Sequence, residues 1–118
     1  MATILVVEDE PTIRTLICEI LGASHECHPV RTAEEGLELL AAGRFDVAIT
    51  DVKLPGMDGD EFMRRAHEVI PSLPVILISG GYGYDEVAYE EEGAFGYLLK
   101  PFRAEELEAL VVDALGSC

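Results

Sequence analysis

The chain is poor in cysteine and contains no tryptophan. Its 118 residues include three cysteines, at Cys18, Cys27 and Cys118. They are widely spaced and form no CxxC pair, which argues against a disulfide framework and indicates free thiols in a reducing compartment. Cys27 lies between His25 and His28, but the spacing matches no common zinc site and a fourth ligand is missing. We therefore expect no zinc site there.

Basic side chains are scarce as well. Eight Lys and Arg residues stand against 23 Asp and Glu residues, which gives a formal net charge of −15. Direct binding to nucleic acid is disfavoured, because attraction to phosphates requires clusters of Lys and Arg. Segment 79–118 is especially acidic, so any docking face within it is biased towards basic partners.

Long apolar runs are absent too. No stretch approaches the roughly 20 apolar residues that a membrane-spanning helix needs, and the first ten residues lack the basic start and the cleavage site of a signal peptide. We expect a soluble, cytoplasmic protein with no membrane association. With 49% hydrophobic residues, the chain has material for one core and one domain over 1–118, with the core at about 3–115.

The sequence does contain a regular alternation of strand and helix patterns. Short apolar runs predict strands at 3–7, 27–30 (weakly), 45–50, 74–79 and 95–99. Helical periodicity or start signals predict helices at about 11–22, after Thr32, after Asp58, near 84–92 and at the end of the chain. Five βα units predict an α/β fold, a doubly wound parallel sheet of five strands with helices on both faces.

Helix signals within this pattern are specific. Pro11 suits the first turn of the first helix, Thr32 and Glu35 form a capping-box pattern, and Asp58 with Glu61 marks the start of the third helix. Apolar spacing predicts which side chains of the first helix face the core: Ile13, Leu16, Ile17, Ile20 and Leu21.

Charged residues follow three of the predicted strands. Glu8 and Asp9 follow the first, Asp51 follows the third and Lys100 follows the fifth. Ligands of such sheets bind at the carboxyl ends of the strands, so these groups should form one acidic pocket containing a lysine. Two carboxylates about 4 Å apart repel by roughly 4 kcal/mol at an effective dielectric near 20. A small set of oxygen ligands open to solvent suits Mg²⁺, and Lys100 can contact a phosphoryl oxygen.

The segments ILVVEDE, DVKLPGMDG, LISG and YLLKPF occur in this order. Together they resemble the receiver domain of bacterial two-component response regulators, of the kind found in chemotaxis regulators, over about residues 3–115. The resemblance implies a flavodoxin-like sheet with strand order 2-1-3-4-5. It also implies that Asp51 is the phosphoacceptor and that Mg²⁺ is held by Glu8, Asp9, Asp51 and the backbone carbonyl of Lys53.

The same resemblance assigns the remaining roles. Lys100 is the lysine of the catalytic site, Ser79 is both a catalytic-site residue and the switch hydroxyl, and Tyr97 is the switch aromatic. The bond between Lys100 and Pro101 is expected to be cis. Two departures from the usual pattern are an acidic pair of Glu and Asp rather than two Asp, and Ser rather than the more frequent Thr at the switch position.

The implied function is signal transfer. A histidine kinase or a histidine phosphotransfer protein donates a phosphoryl group to Asp51, and the chain catalyses only its own phosphorylation and dephosphorylation. Phosphorylation then changes the face made by the fourth helix, fifth strand and fifth helix, which binds a downstream protein or an attached effector. The expected state is a monomer or a phosphorylation-dependent dimer.

Two alternatives belong to other functional classes. A pseudo-receiver, which binds proteins without phosphorylation, would normally lack one of Asp9, Asp51 or Lys100, whereas all three are present. A phosphatase of the haloacid dehalogenase type also uses an aspartyl nucleophile, but its nucleophile ends the first strand within a DxD pair and a cap domain accompanies it. Asp51 follows the third strand instead.

Overall fold

The computed structural model describes residues 2–80 and 92–116. Its strands are β1 (Thr3–Val7), β2 (Glu26–Val30), β3 (Val47–Asp51), β4 (Val75–Ser79) and β5 (Gly96–Leu99). Its helices are α1 (Pro11–Gly22), α2 (Ala33–Ala42), α3 (Gly59–Val69) and the last helix, Ala104–Gly116. The helix predicted near 84–92 lies outside the described residues except for Glu92.

All five strands are parallel and lie in the order β2-β1-β3-β4-β5. This confirms the predicted fold class and strand order. The register aligns Val7 with Thr50 across β1 and β3, and Asp51 with Ile78 across β3 and β4. The carboxyl ends of β1 and β3 are therefore neighbours, at the point where the strand order reverses.

The core has two halves, one on each face of the sheet. Side chains alternate between faces along a strand, so Leu5 and Val7 join the half covered by α2 and α3, whereas Ile4 and Val6 join the half covered by α1 and the last helix. Phe62 fills the first half and Leu107 the second, and both are fully buried. Burial on both faces explains why the central strands are mostly apolar.

Side-chain caps start two of the helices. The hydroxyl of Thr32 accepts the backbone N–H of Glu35 at 3.2 Å, and Oδ1 of Asp58 accepts that of Glu61 at 3.0 Å. Both predicted start signals are confirmed. In contrast, Glu10 at the N-cap of α1 makes no side-chain capping bond, although Pro11 does occupy the first turn.

Leu16 departs from the prediction. It is 45% exposed, while Ile17 and Leu21 are buried. At 3.6 residues per turn, Leu16 lies farther around the helix from those two side chains than Ile13 and Ile20 do, and it falls outside the stripe that faces the sheet. A smaller difference concerns β3, which begins at Val47 rather than at Phe45 and includes Asp51.

Within the described ranges, none of the helices combines the length and apolar character required to cross a bilayer.

Candidate functional site

An acidic cluster lies at the carboxyl edge of the sheet, at the ends of β1 and β3. Glu8, Asp9 and Asp51 each place a carboxylate oxygen within 4.8 Å of the others. Glu8 is 1% exposed and Asp51 is 7% exposed, whereas Asp9 is exposed to solvent. The site therefore has two buried oxygen donors and one at its solvent-facing side.

Lys100 supplies the positive charge of this site. Its Nζ lies 2.7 Å from Oδ2 of Asp51 and 3.5 Å from Oε1 of Glu8. The lysine follows β5, two strands away from β3, so its long side chain reaches the acids from the far side of β4. The backbone N–H of Lys100 also donates to the carbonyl of Ser79 at 2.8 Å. This bond connects the residue after β5 to the end of β4.

The lysine is held in its charged form. Burial would lower the pKa of Lys100, but the hydrogen bond to Asp51 and the negative charges of Glu8 and Asp51 outweigh burial and raise it. Lys100 is thus a fixed cation at the pH of the cell.

At Glu8, in contrast, the surroundings disfavour the charged form of the side chain. Burial, followed by the charge of Asp51, raises the pKa of Glu8 to about 7, against the lowering effects of the Glu10 backbone N–H and of Lys100. Its Oε1 is buried and makes no hydrogen bond in the described part of the chain. At Glu8, the charge of Lys100 does not offset burial and the charge of Asp51, and an additional cation there would favour the ionised carboxylate.

The donor set fits Mg²⁺. It consists only of oxygen atoms, one of them buried and without a hydrogen bond, and one carboxylate is open to solvent where waters can complete the coordination. Mg²⁺ is commonly bound by one or two carboxylates and waters, together with a phosphate oxygen. The backbone N–H of Lys53 donates to Oδ1 of Asp51 at 3.3 Å, while the role of the Lys53 carbonyl as a ligand stays a prediction.

The predicted switch residues, Ser79 and Tyr97, lie on β4 and β5, which are paired with each other. Ser79 ends β4 and is 4% exposed, and its register partner is Leu99. Tyr97 lies in β5, is partly buried and packs against the half of the core that contains Val75 and Leu77. The peptide bond between Lys100 and Pro101 is cis, as the resemblance implied.

Two residues near the site were not predicted to matter. Gly59 approaches the backbone of Asp51 so closely that a Cβ would overlap the Asp51 carbonyl oxygen, and its N–H donates to the Val52 carbonyl at 2.8 Å. Arg14 donates from Nη1 to the carbonyl oxygens of Glu8 at 3.0 Å and Asp9 at 3.5 Å. For Arg14, the available signal in the sequence was a basic residue in the helix that follows an acidic pair.

Comparison with known proteins identifies the family. The model of the response regulator receiver domain matches residues 4–112. The chain belongs to the response regulator receiver domain family. Response regulator protein FleR of Pseudomonas aeruginosa is 40% identical over 119 residues, a match that covers 98% of this chain and 25% of FleR. The receiver chain thus spans about a quarter of that relative's length.

Solved structures agree with this family. A response regulator receiver domain protein from Clostridium thermocellum superposes with a TM-score of 0.91 at 32% identity, covering 98% of this chain and 95% of that one. Response regulator protein TrrA from Thermotoga maritima, whose structure is described as a complex with Mg(2+)-BeF, superposes with a TM-score of 0.88 at 31% identity, covering 98% of this chain and all of that one. The receiver fold is shared over nearly the full length of the three chains.

Proposed function

We propose that Asp51 accepts a phosphoryl group from the phosphohistidine of a histidine kinase or a histidine phosphotransfer protein. The observation that carries this proposal is the position of the Asp51 carboxylate, 2.7 Å from the Lys100 ammonium and within the acidic cluster of Glu8 and Asp9. A carboxylate in contact with a fixed cation, at an edge open to solvent, can act as a nucleophile towards an incoming phosphoryl group.

In the transfer, an oxygen of Asp51 forms a bond to phosphorus while the bond from phosphorus to the histidine nitrogen breaks. Lys100 stays charged and neutralises negative charge on the phosphoryl oxygens, and the Lys53 N–H orients the Asp51 carboxylate. Bound Mg²⁺, held by Glu8, Asp9, Asp51 and the Lys53 carbonyl, would supply further positive charge to those oxygens. Attack of water on phosphorus later regenerates the Asp51 carboxylate and releases phosphate.

Phosphorylation acts as a switch in this proposal. It adds about −1.5 to −2 charges and three acceptor oxygens beside Asp51. The hydroxyl of Ser79 donates to one of these oxygens, and the accompanying shift after β4 lets Tyr97 move further into the core. The surface made by the segment between β4 and β5, by β5 and by the last helix then changes shape and binds the downstream protein or effector.

The cellular setting follows from the same proposal. Residues 1–118 form one receiver domain in the cytoplasm, where histidine kinases expose their phosphohistidine. The domain acts as a monomer or as a phosphorylation-dependent dimer, and its net charge of −15 disfavours direct contact with nucleic acid. It is not an enzyme in the usual sense, because it catalyses only reactions of its own side chain.

A pseudo-receiver function is not favoured. Such a module needs neither an aspartate held by a lysine nor a cluster of acids, yet Asp51, Lys100 and the acidic pair are all in contact range.

Intact-mass measurement tests the proposal. The chain is incubated with Mg²⁺ and acetyl phosphate, alongside Asp51→Asn and the matched control Asp113→Asn, which changes an exposed aspartate of the last helix. We expect a phosphoryl mass increment in the native chain and in Asp113→Asn, dependent on Mg²⁺, and none in Asp51→Asn. Absence of an increment in the native chain would replace phosphotransfer with the pseudo-receiver function.

A further inference from the structure

The loop that carries the acidic pair is held by several hydrogen bonds to its backbone N–H and carbonyl groups. The N–H of Glu8 donates to the carbonyl of Val30 in β2 at 3.1 Å. The N–H of Glu10 donates to Oε2 of Glu8 at 3.3 Å. The carbonyls of Glu8 and Asp9 point towards α1, where Nη1 of Arg14 donates to both, at 3.0 Å and 3.5 Å. Arg14 therefore provides the contact between this loop and the helix that follows.

This contact differs from a helix cap, because a guanidinium donates to carbonyls and cannot accept from the free N–H groups at the start of α1. The starts of α2 and α3 are secured by the side chains of Thr32 and Asp58, whereas Glu10 makes no side-chain capping bond at the start of α1. Without the Arg14 side chain, the turn into α1 would rely on Pro11, on the bond from the Glu10 N–H to Glu8, and on the backbone bond from residue 14 to the Glu10 carbonyl at 3.0 Å. The guanidinium adds two bonds at the positions from which both carboxylate side chains extend.

The choice of acceptor atoms is informative. Arg14 binds backbone carbonyls, and no ion pair between Arg14 and a carboxylate occurs in residues 2–80 and 92–116. An arginine bound to the carboxylates of Glu8 or Asp9 would compete with a metal ion for the same oxygens. An arginine bound to the carbonyls orders the loop without placing its guanidinium on those oxygens.

We propose that Arg14 is a positioning residue for metal binding: by holding the carbonyls of Glu8 and Asp9, it fixes the loop from which both ligand side chains reach the metal. The inference rests on the proposed function of the same site. Residues that orient metal ligands through hydrogen bonds, without contacting the metal, typically contribute about 10- to 100-fold to metal affinity.

The direction of the change in Mg²⁺ affinity on replacing Arg14 distinguishes a positioning role from an effect of its positive charge alone. Arg14 is a cation close to a cation site, so removal of its charge alone would strengthen Mg²⁺ binding. Loss of positioning would weaken binding. A merely structural role would lower the melting temperature and leave the Mg²⁺ dissociation constant unchanged.

Calorimetric titration of the metal-free chain with Mg²⁺ tests the proposal, with the melting temperature of each variant recorded in parallel. Arg14→Met removes the donors but keeps an apolar stem, and Arg14→Lys keeps charge and a single ammonium donor. Arg44→Met is the matched control, because Arg44 is exposed and precedes β3 at the opposite edge of the sheet.

We expect Mg²⁺ to bind Arg14→Met about tenfold more weakly than the native chain, with partial recovery in Arg14→Lys and native or slightly tighter binding in Arg44→Met. Unchanged or tighter binding by Arg14→Met would overturn the proposal. If that variant does not fold, Arg14→Gln decides in the same way: weaker binding supports positioning and native binding overturns it. Failure of the native chain to bind Mg²⁺ would instead remove the proposed function itself, so the two failures are distinguishable.

Discussion

Nζ of Lys100 lies 2.7 Å from Oδ2 of Asp51 and 3.5 Å from Oε1 of Glu8, so one ammonium group contacts two buried carboxylates. The two acids lie at the ends of the neighbouring strands β1 and β3, and the lysine follows β5, the outermost strand of the sheet. In the structure Lys100 pairs with the acids of the pocket, and under the proposed function it would also contact an incoming phosphoryl group. These two roles affect different measured quantities, the stability of the fold and the rate of phosphorylation.

The first prediction concerns Lys100→Met. The variant loses a cation at the reacting oxygens, so phosphorylation of Asp51 by acetyl phosphate should slow by about 100-fold or more at saturating Mg²⁺. Mass spectrometry over time measures the rate, and Arg44→Met controls for loss of one positive charge elsewhere. A rate within threefold of the native rate, about 0.65 kcal/mol, would show that Lys100 has no part in the transfer.

The stability of the same variant should change less. The Lys100 side chain is 24% exposed, so solvent screens its ion pairs and the loss of unfolding free energy is about 1–2 kcal/mol. Mg²⁺ should restore much of this loss, because it replaces the missing positive charge among the acids. Urea unfolding with and without Mg²⁺ measures both effects.

The second prediction concerns Gly59, where a Cβ would overlap the Asp51 carbonyl. In Gly59→Ala, the start of α3 must move away from β3, which should cost about 1–3 kcal/mol of unfolding free energy and slow phosphorylation by displacing Asp51. Gly22→Ala is the control, since among the described residues no atom beyond its chain neighbours and its own helix backbone lies within 4 Å of its Cβ position. That variant should be as stable as the native chain or slightly more stable. Equal stability of the two variants would contradict the crowding at Gly59.

The third prediction concerns pH. The pKa of Glu8 is raised from 4.5 to about 7, so between these values the native chain retains a proton that the unfolded chain has lost. In the absence of metal, this residue's contribution to stability therefore falls as the pH rises from about 4.5 to about 7. Mg²⁺ requires the ionised carboxylate, so its affinity should rise over the pH range around 7 and level off above it.

Calorimetry at about pH 6 and about pH 8, in buffers of different ionisation enthalpy, measures this coupling through the protons released on Mg²⁺ binding. Glu8→Gln should bind Mg²⁺ more weakly and show a smaller pH dependence. If the pH dependence persists unchanged in Glu8→Gln, another group is responsible for it.

The fourth prediction concerns the switch. Ser79→Ala should still accept a phosphoryl group, because Asp51 and Lys100 are unchanged, but the NMR signals of the Tyr97 ring should shift less on phosphorylation than in the native chain. Ser72→Ala is the control, since Ser72 is exposed near the opposite end of β4. If the NMR signals of the Tyr97 ring shift as much in Ser79→Ala as in the native chain, Ser79 does not couple phosphorylation to Tyr97.

Much of the fold was predictable because its signals are local. Apolar runs located the strands, and capping residues such as Thr32 and Asp58 located two helix starts. The fully buried strand β3 was harder to delimit, since an apolar run does not show where pairing begins, and the prediction began at Phe45 rather than Val47. Leu16 was misplaced because five apolar side chains in α1 cover more of the helix than the sheet can bury.

The candidate site was predictable for a different reason. Its acids and its lysine each lie at the end of a strand or just after it, and parallel topology brings strand ends together. Arg14 and Gly59 could not be derived in this way. The contribution of Arg14 depends on the direction of two backbone carbonyls, and that of Gly59 on how closely α3 approaches β3; neither quantity is encoded in a residue pattern.

The contact between Lys100 and Asp51 joins positions 49 residues apart in the chain. In the folded chain, the pairing of β5 with β4 brings Lys100 to the acids. Under the proposed function, phosphoryl acceptance by Asp51 therefore depends on the strand at the far side of the sheet as well as on the acidic cluster itself.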